Sequence, residues 1–296
     1  MNLHELSAGS RYFEGAINLG LLVKEDTALL VDSGLDEFSA KKVTKVLNEN
    51  NIVLAGVILT HAHADHTGGA AFLRDRWQVP VMASPLEKPY IENPQFEPFY
   101  LFGGSQPLKE LENKFLKAPA CPVDISLYPG RHDILGFPLE IVALPGHSPG
   151  QIGLIYETTF YTADALFSPE ILTKHGIPYF VDISASLQTM DYLASCAKPH
   201  YCFVPAHGSA TSKISELVSA NKKYLDEIQT LILSALSTPL PTISLLSLVC
   251  REKGLAITNA GQYYLNKAAL KSFLSYLANS NKIKAIINNN ILLWTR

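Results

Sequence analysis

Residues 60–66 read Thr-His-Ala-His-Ala-Asp-His, so His61, His63, Asp65 and His66 put four metal-binding side chains into six positions. Three of the nine histidines of the chain lie in this stretch. A continuous helix would spread them around a cylinder, and a regular strand would alternate them between faces. A tight loop at the end of the apolar run 52–60 lets all four converge. Imidazole with carboxylate suits zinc, and also iron or manganese. Four other places offer matching partners: Pro145-Gly146-His147 after the apolar run 139–144, Asp164 after 160–163, His207 after Val204-Pro205-Ala206, and Asp32 after Val31. In each, an apolar strand stops at a ligand type, often beside glycine or proline. Strands can hold such side chains rigidly while their loops approach closely. Asp164 alone also reads as a helix N-cap before Ala165-Leu166-Phe167.

The order His-x-His-x-Asp-His, Pro-Gly-His147, Asp164, His207 resembles the metallo-β-lactamase superfamily over roughly residues 16–210. The resemblance implies one metal held by His61, His63 and His147. A second would be held by Asp65, His66 and His207, with Asp164 bridging the two and Asp32 supporting the metal loop. Two divalent cofactor ions are therefore expected, zinc foremost, with iron or manganese as alternatives. Flavodiiron relatives replace part of the heptad with glutamate, which this chain does not. The implied fold is α/β, a four-layer αββα sandwich with the metals at one edge.

Such a pair of ions, about 3.5–4 Å apart, shares a water and lowers its pKa to about 7. Metal-bound hydroxide would then attack an electrophilic carbonyl or phosphorus. Asp65 is the candidate catalytic residue, accepting a proton as well as ligating. No serine or cysteine nucleophile is needed. Cys121, Cys196, Cys202 and Cys250 lie outside the motifs, form no CxxC pair and read as apolar packing. His4, His132, His175 and His200 have no motif around them; His175, eleven positions after Asp164, is the one exception worth watching.

The elements that must position these residues are legible from periodicity. Residues 17–23 and 27–31 read as a hairpin, 38–49 and 69–77 as helices, and 79–83 as a short strand. Strands follow at 139–144, 151–157, 160–163 and 202–204. Between the heptad and His147 lies an insertion, residues 85–119. It carries Tyr90, Phe96, Phe99, Tyr100 and Phe102 among Pro94 and Pro98, then Gly103-Gly104 and an expected helix over 108–116. It reads as a lid or pocket wall, or else as an aromatic cap or dimer contact.

A catalytic domain over 1–210 is followed by a chemically different tail, 211–296. The tail holds ten Lys/Arg against four Asp/Glu, a net +6 in a chain of net −3. Helices at 214–236, 243–251 and 265–278, then a hairpin of 282–287 and 291–295, resemble a small winged-helix module. Lys267, Lys271, Lys282 and Lys284 could face RNA phosphates, or the module could cover the site or build a homodimer.

At 296 residues, 47% hydrophobic and 17% charged, the chain reads as a globular protein with one large core, or one core and an appendage. Four cysteines suggest no disulfide framework, the N-terminus shows no signal peptide, and no apolar run is long enough to span a membrane. A cytoplasmic location is expected. The expected function is metal-dependent hydrolysis of a small-molecule ester, thioester or lactone, similar to glyoxalase II or a lactonase. The alternatives are a phosphodiesterase or endoribonuclease using the basic tail, and an iron-dependent dioxygenase.

Overall fold

The computed structural model describes residues 2–296. Two mixed sheets face each other. The first holds β1 (Asn2–Glu5), β2 (Ser10–Glu14), β3 (Leu19–Lys24), β4 (Thr27–Val31), β5 (Val53–Ile58), β6 (Val81–Ala83) and β7 (Ile125–Ser126), in that spatial order. It is antiparallel through β4 and parallel beyond. The second holds β8 (Gly130–Ile134), β9 (Phe137–Ala143), β10 (Ile152–Tyr156), β11 (Thr159–Phe167) and β12 (Cys202–His207), in reverse spatial order. Only its β11–β12 pair is parallel.

Alternation along each strand builds the layers. Leu29 and Val31 of β4 face inward and meet Ile141, Leu154 and Val204 from the second sheet. Ala28 and Leu30 face outward and pack under Val43 and Leu47 of α1 (Glu37–Glu49), beside Leu73. Where the sheets approach most closely, Gly20 leaves room for the Tyr161 ring, which would lie 2.7 Å from any Cβ there. The outer face of the second sheet, with Phe160 and Phe203, is covered by later helices. The expected four-layer αββα architecture is therefore observed.

The remaining helices are α2 (Ala64–Thr67), α3 (Ala70–Trp77), α4 (Lys88–Glu92), α5 (Phe96–Leu101), α6 (Pro169–His175), α7 (Ile183–Ser195), α8 (Ile214–Ala235), α9 (Thr242–Glu252) and α10 (Ala260–Asn279). A third small sheet pairs β13 (Leu240–Pro241) with β15 (Ile291–Thr295), and β15 with β14 (Lys284–Asn288). The tail thus runs helix, strand, helix, helix, hairpin. Its apolar side chains, among them Ile228, Leu246 and Phe273, form one continuous core with the outer face of the second sheet. Among the described residues, no helix is long and apolar enough to cross a membrane.

Three local expectations change. The helix over 108–116 is only a 3-10 turn at Lys109–Leu111. Asn113 explains the break: its side chain bonds the Glu110 carbonyl and the Phe115 N–H, competing with helix hydrogen bonds. Asp164 is not a helix cap, because β11 continues through it to Phe167, and Ser168 caps α6 instead. The heptad is a loop only to His63; Asp65 and His66 lie in the single turn of α2.

Candidate metal centre

The seven ligand-type side chains come from the segments that follow β5 and β9, from a bulge inside β11 and from the end of β12. β5 runs out into Thr60 and His61, and α2 turns Asp65 and His66 back over the same spot. The β9–β10 connection brings His147. Gly146, at φ +134°, lies against the Ser186 backbone with no space for a Cβ, which would sit 2.6 Å from it. In β11, register shifts on both sides of Ala163, itself at φ +49°, make a bulge that re-aims Asp164. β12 ends at His207.

The ligand atoms form three overlapping groups: His61 with His63 and His147, His61 with His66 and Asp164, and Asp65 with His66 and His207. The first and third bring together the residues of the two expected triads. Asp164 lies between them. Its Oδ1 is 3.4 Å from His66 Nε2, and its Oδ2 is 3.3 Å from His147 Nε2 and 3.5 Å from His207 Nε2. His63 differs in presenting Nδ1, 2.8 Å from His147 Nε2.

The far nitrogen of most of these rings is committed. His66 Nδ1 donates to Asp32 at 2.8 Å, His147 Nδ1 to the Tyr179 carbonyl at 2.8 Å, and His207 Nδ1 to the Ala16 carbonyl at 2.9 Å. Thr60 gives its hydroxyl proton to Asp32, and its oxygen accepts from His61 Nδ1 at 3.1 Å. In these four rings the far nitrogen holds a proton, so the near nitrogen of each, once the ring is neutral, turns a lone pair toward the cluster, the arrangement by which metal-site histidines are oriented. Asp32 itself belongs to no ligand group. Buried, and at φ +62° just past β4, it holds the Thr60 N–H at 2.8 Å together with His66.

Three buried atoms in the cluster have no hydrogen-bond partner: His61 Nε2, His66 Nε2 and Asp164 Oδ1. Desolvated polar atoms without partners are costly, and here all three face one another. The donor set fits divalent cations.

Charge points the same way. Burial, reinforced by neighbouring histidines, holds His61 well below the ordinary imidazole range and takes His63 down to about 3. His147 is also lowered by burial. These three are neutral bases. For His66, burial opposes the charge, but Asp32, Asp164 and Asp65 outweigh it and hold the ring well above its usual value. His207 rises to about 9 because Asp164 and Asp65 likewise outweigh burial. Burial alone would raise Asp65 and Asp164, yet His66 and His207 keep both carboxyls low. A cluster of carboxylates that demands positive charge, with Asp164 buried and Asp65 half-buried, is what a metal ion satisfies when it replaces protons.

Two positioning groups escape sequence reading. Glu87, buried ahead of α4, accepts from Ala62 N–H at 2.9 Å, Ser148 Oγ at 2.7 Å and Gly150 N–H at 2.7 Å. It ties the heptad loop to the His147 loop. Asn221 of α8 bonds both the N–H and the carbonyl of Phe167, pinning the end of β11. Neither sits in a motif; each is recognised only by the backbone it meets.

A cavity of about 370 Å³ opens over the cluster. Leu116 from the insertion, Ile171 and Leu172 of α6, Ile177, and Leu265 of α10 line it. Glu97, Tyr179, Gln262 and Asn266 add polar groups, and His175 also lines it. To one side, Tyr90 of the insertion meets both Phe96 and Tyr100 edge to face. His4 stacks on Tyr12 and His132 bonds the Tyr128 carbonyl, both away from the cavity. The four cysteines are free, with Cys121 and Cys250 buried.

Residues 12–222 match the family model described as the metallo-beta-lactamase superfamily. A probable metallo-hydrolase of Bacillus subtilis is 26% identical over 205 residues, covering 67% of this chain and 88% of that protein. A hydroxyacylglutathione hydrolase of Dechloromonas aromatica is 29% identical over 147 residues, 50% of this chain but only 43% of that protein. In fold, a beta-lactamase domain protein from Burkholderia ambifaria superposes with a TM-score of 0.76 at 17% identity, covering 100% of this chain and 93% of its own. A metallo-beta-lactamase family protein from Thermus thermophilus gives 0.70 at 18% identity, covering 100% and 98%. The chain belongs to the metallo-beta-lactamase superfamily and is a hydrolase of that superfamily.

Proposed function

We propose that the cluster binds two divalent ions, zinc foremost, and that the protein hydrolyses a small ester, thioester or lactone. The observation that carries this reading is the trio of buried, unpartnered ligand atoms on His61, His66 and Asp164. His61, His63 and His147 would hold one ion and Asp65, His66 and His207 the other, with Asp164 shared between them. When bound, such ions supply Lewis acidity and lower the pKa of water to about 7. The chain's own residues do the rest. Asp32 and Thr60 fix the ring orientations through their hydrogen bonds. Asp65, a ligand-type carboxylate that lines the cavity, would take a proton from the attacking water and return it to the leaving oxygen or sulfur. The apolar wall limits competing water.

Relatives named hydroxyacylglutathione hydrolase support acyl hydrolysis. The phosphodiesterase reading draws on the net +6 of the tail and its winged-helix-like order of elements. Lys267 and Lys271, however, line a different groove beside Tyr264 that contains none of the seven ligand-type residues. That placement favours the acyl reading.

The test is elemental analysis of protein purified without added metal, with an ester, thioester and RNA panel run on the same sample. About two zinc ions per chain and turnover of acyl substrates are expected. A single iron without hydrolysis would shift the assignment to a dioxygenase. His63→Ala should lose metal and activity together while its circular dichroism is unchanged. A metal-replete, active His63→Ala protein would overturn the site assignment.

A further inference from the structure

The cavity above the cluster has a chemical bias that the metal site does not dictate. Among the described residues, no lysine or arginine lines it. Its charged and titratable groups are carboxylates, histidines and the Tyr179 phenol, so an anionic substrate group would find no cation away from the metals. Its upper walls are aliphatic and aromatic, contributed by three separate parts of the chain: Phe115 and Leu116 of the insertion, Ile171 and Leu172 of α6, and Leu265 of α10. The two carboxamides on α10 are partly used. Gln262 Oε1 accepts from the Thr258 N–H at 2.9 Å, which leaves its amide N–H groups. Asn266 Nδ2 donates to the Gln262 carbonyl at 2.8 Å, which leaves its oxygen. One neutral donor and one neutral acceptor therefore stand beside an apolar wall.

We propose that this cavity selects an uncharged substrate with an apolar acyl chain, seated between α6, the insertion and α10. Gln262 and Asn266 meet a neutral polar group of the same molecule. The inference rests on the acyl-hydrolase reading for its chemistry. Water oxygen bonds to the carbonyl carbon, the bond from that carbon to the leaving oxygen breaks, and the proton from water passes to the leaving oxygen. Residues of the tail then set specificity, because Gln262, Leu265 and Asn266 lie beyond residue 210. A substrate bearing carboxylates away from the scissile bond, such as a glutathione thioester, is disfavoured, because an unpaired carboxylate would be desolvated against Leu265 and Ile171.

The test uses the full-length, metal-replete protein and two matched probe series. The first is nitrophenyl esters from acetate to octanoate, with a second octanoate-length ester carrying a terminal carboxylate. The second is the corresponding N-ethyl amides, uncleaved analogues whose binding is read by calorimetry. For the neutral esters, kcat/KM should rise about three- to four-fold per methylene until the wall is filled. The carboxylate-terminated ester should fall roughly ten-fold or more below its neutral partner. Leu265→Trp and Ile171→Trp should each shift the optimum to shorter chains, so that a folding failure in one leaves the other to report. Asn266→Lys should raise the relative rate of the carboxylate-terminated ester.

Equal rates for neutral and carboxylate-terminated esters, with both tryptophan variants unchanged, would overturn the inference and leave the hydrolase reading intact. If no ester turns over, the amides decide: chain-length-dependent binding that Leu265→Trp weakens supports the cavity inference and removes only the acyl chemistry. Amides that fail to bind, or that bind without regard to length or terminal charge, overturn it.

Discussion

Single side chains carry two kinds of burden around this site. His66 is buried among Asp32, Asp65 and Asp164, and its far nitrogen is fixed by Asp32, so its role is to present Nε2 in one direction. Glu97 is different. It is buried in the cavity wall, and burial, with Asp65 and Glu87 nearby, holds its carboxyl well above its ordinary value of 4.5. An acid raised in this way binds more protons folded than unfolded. Stability therefore falls as pH climbs above the ordinary value and levels off once the folded-state value is passed. Glu97→Gln removes the ionisable group while keeping the shape. The variant should show a higher Tm than the parent at about pH 7, and the gap should close toward about pH 4, where both states of the parent carry the proton. Thermal unfolding of both proteins across that range checks it. A constant gap at all pH values would mean the difference is packing and not charge.

Elements, taken in pairs, decide whether the ligands meet. The bulge at Ala163 turns Asp164 toward the cluster, and Asn221 fixes the strand just beyond it. Glu87 acts between loops: it accepts two backbone N–H groups and one hydroxyl from opposite sides of the first metal triad. Glu87→Ala leaves these donors without their acceptor, at about 1–3 kcal/mol for each one left buried and unsatisfied. The expected outcome is a loss of several kcal/mol in denaturant unfolding and weaker metal retention against a chelator. Glu87→Gln keeps one acceptor oxygen and should fall between the two. Equal stability of parent and alanine variant would show that water replaces the carboxylate.

At the scale of the molecule, the tail is not a separate bead. α8, α9 and α10 share one core with Phe160 and Phe203 of the second sheet, and Leu265 and Tyr264 of α10 pack against Leu101, Leu111 and Leu116 of the insertion. Removing residues 211–296 would expose the outer face of that sheet and open one side of the cavity. The truncated chain is expected to aggregate or to bind a hydrophobic dye without a cooperative melt. A 1–210 fragment that unfolds cooperatively as a monomer would show the tail to be an appendage.

The sequence by itself determined the ligand types and the scaffold class. His61, His63, Asp65, His66, His147, Asp164 and His207 are readable because few side-chain types can ligate a metal and because their order along the chain carries the resemblance. The unbroken apolar run 28–31 reports a strand buried on both faces, but the four-layer arrangement was legible only through the resemblance that the heptad, His147, Asp164 and His207 carry. Other features depend on partners distant in the chain. Glu87 looks like any surface glutamate until Ala62 and Gly150 meet it, and Asn221 like any helix residue until Phe167 does. The break near Asn113 came from a local side chain outcompeting the helix, and the length of β11 from its parallel pairing with β12. Only the tertiary structure decided that α10 reaches the metal cavity and that the basic residues Lys267 and Lys271 line another groove. Composition reports how much charge a segment carries, whereas the direction in which a helix presents that charge is set by the core it packs against.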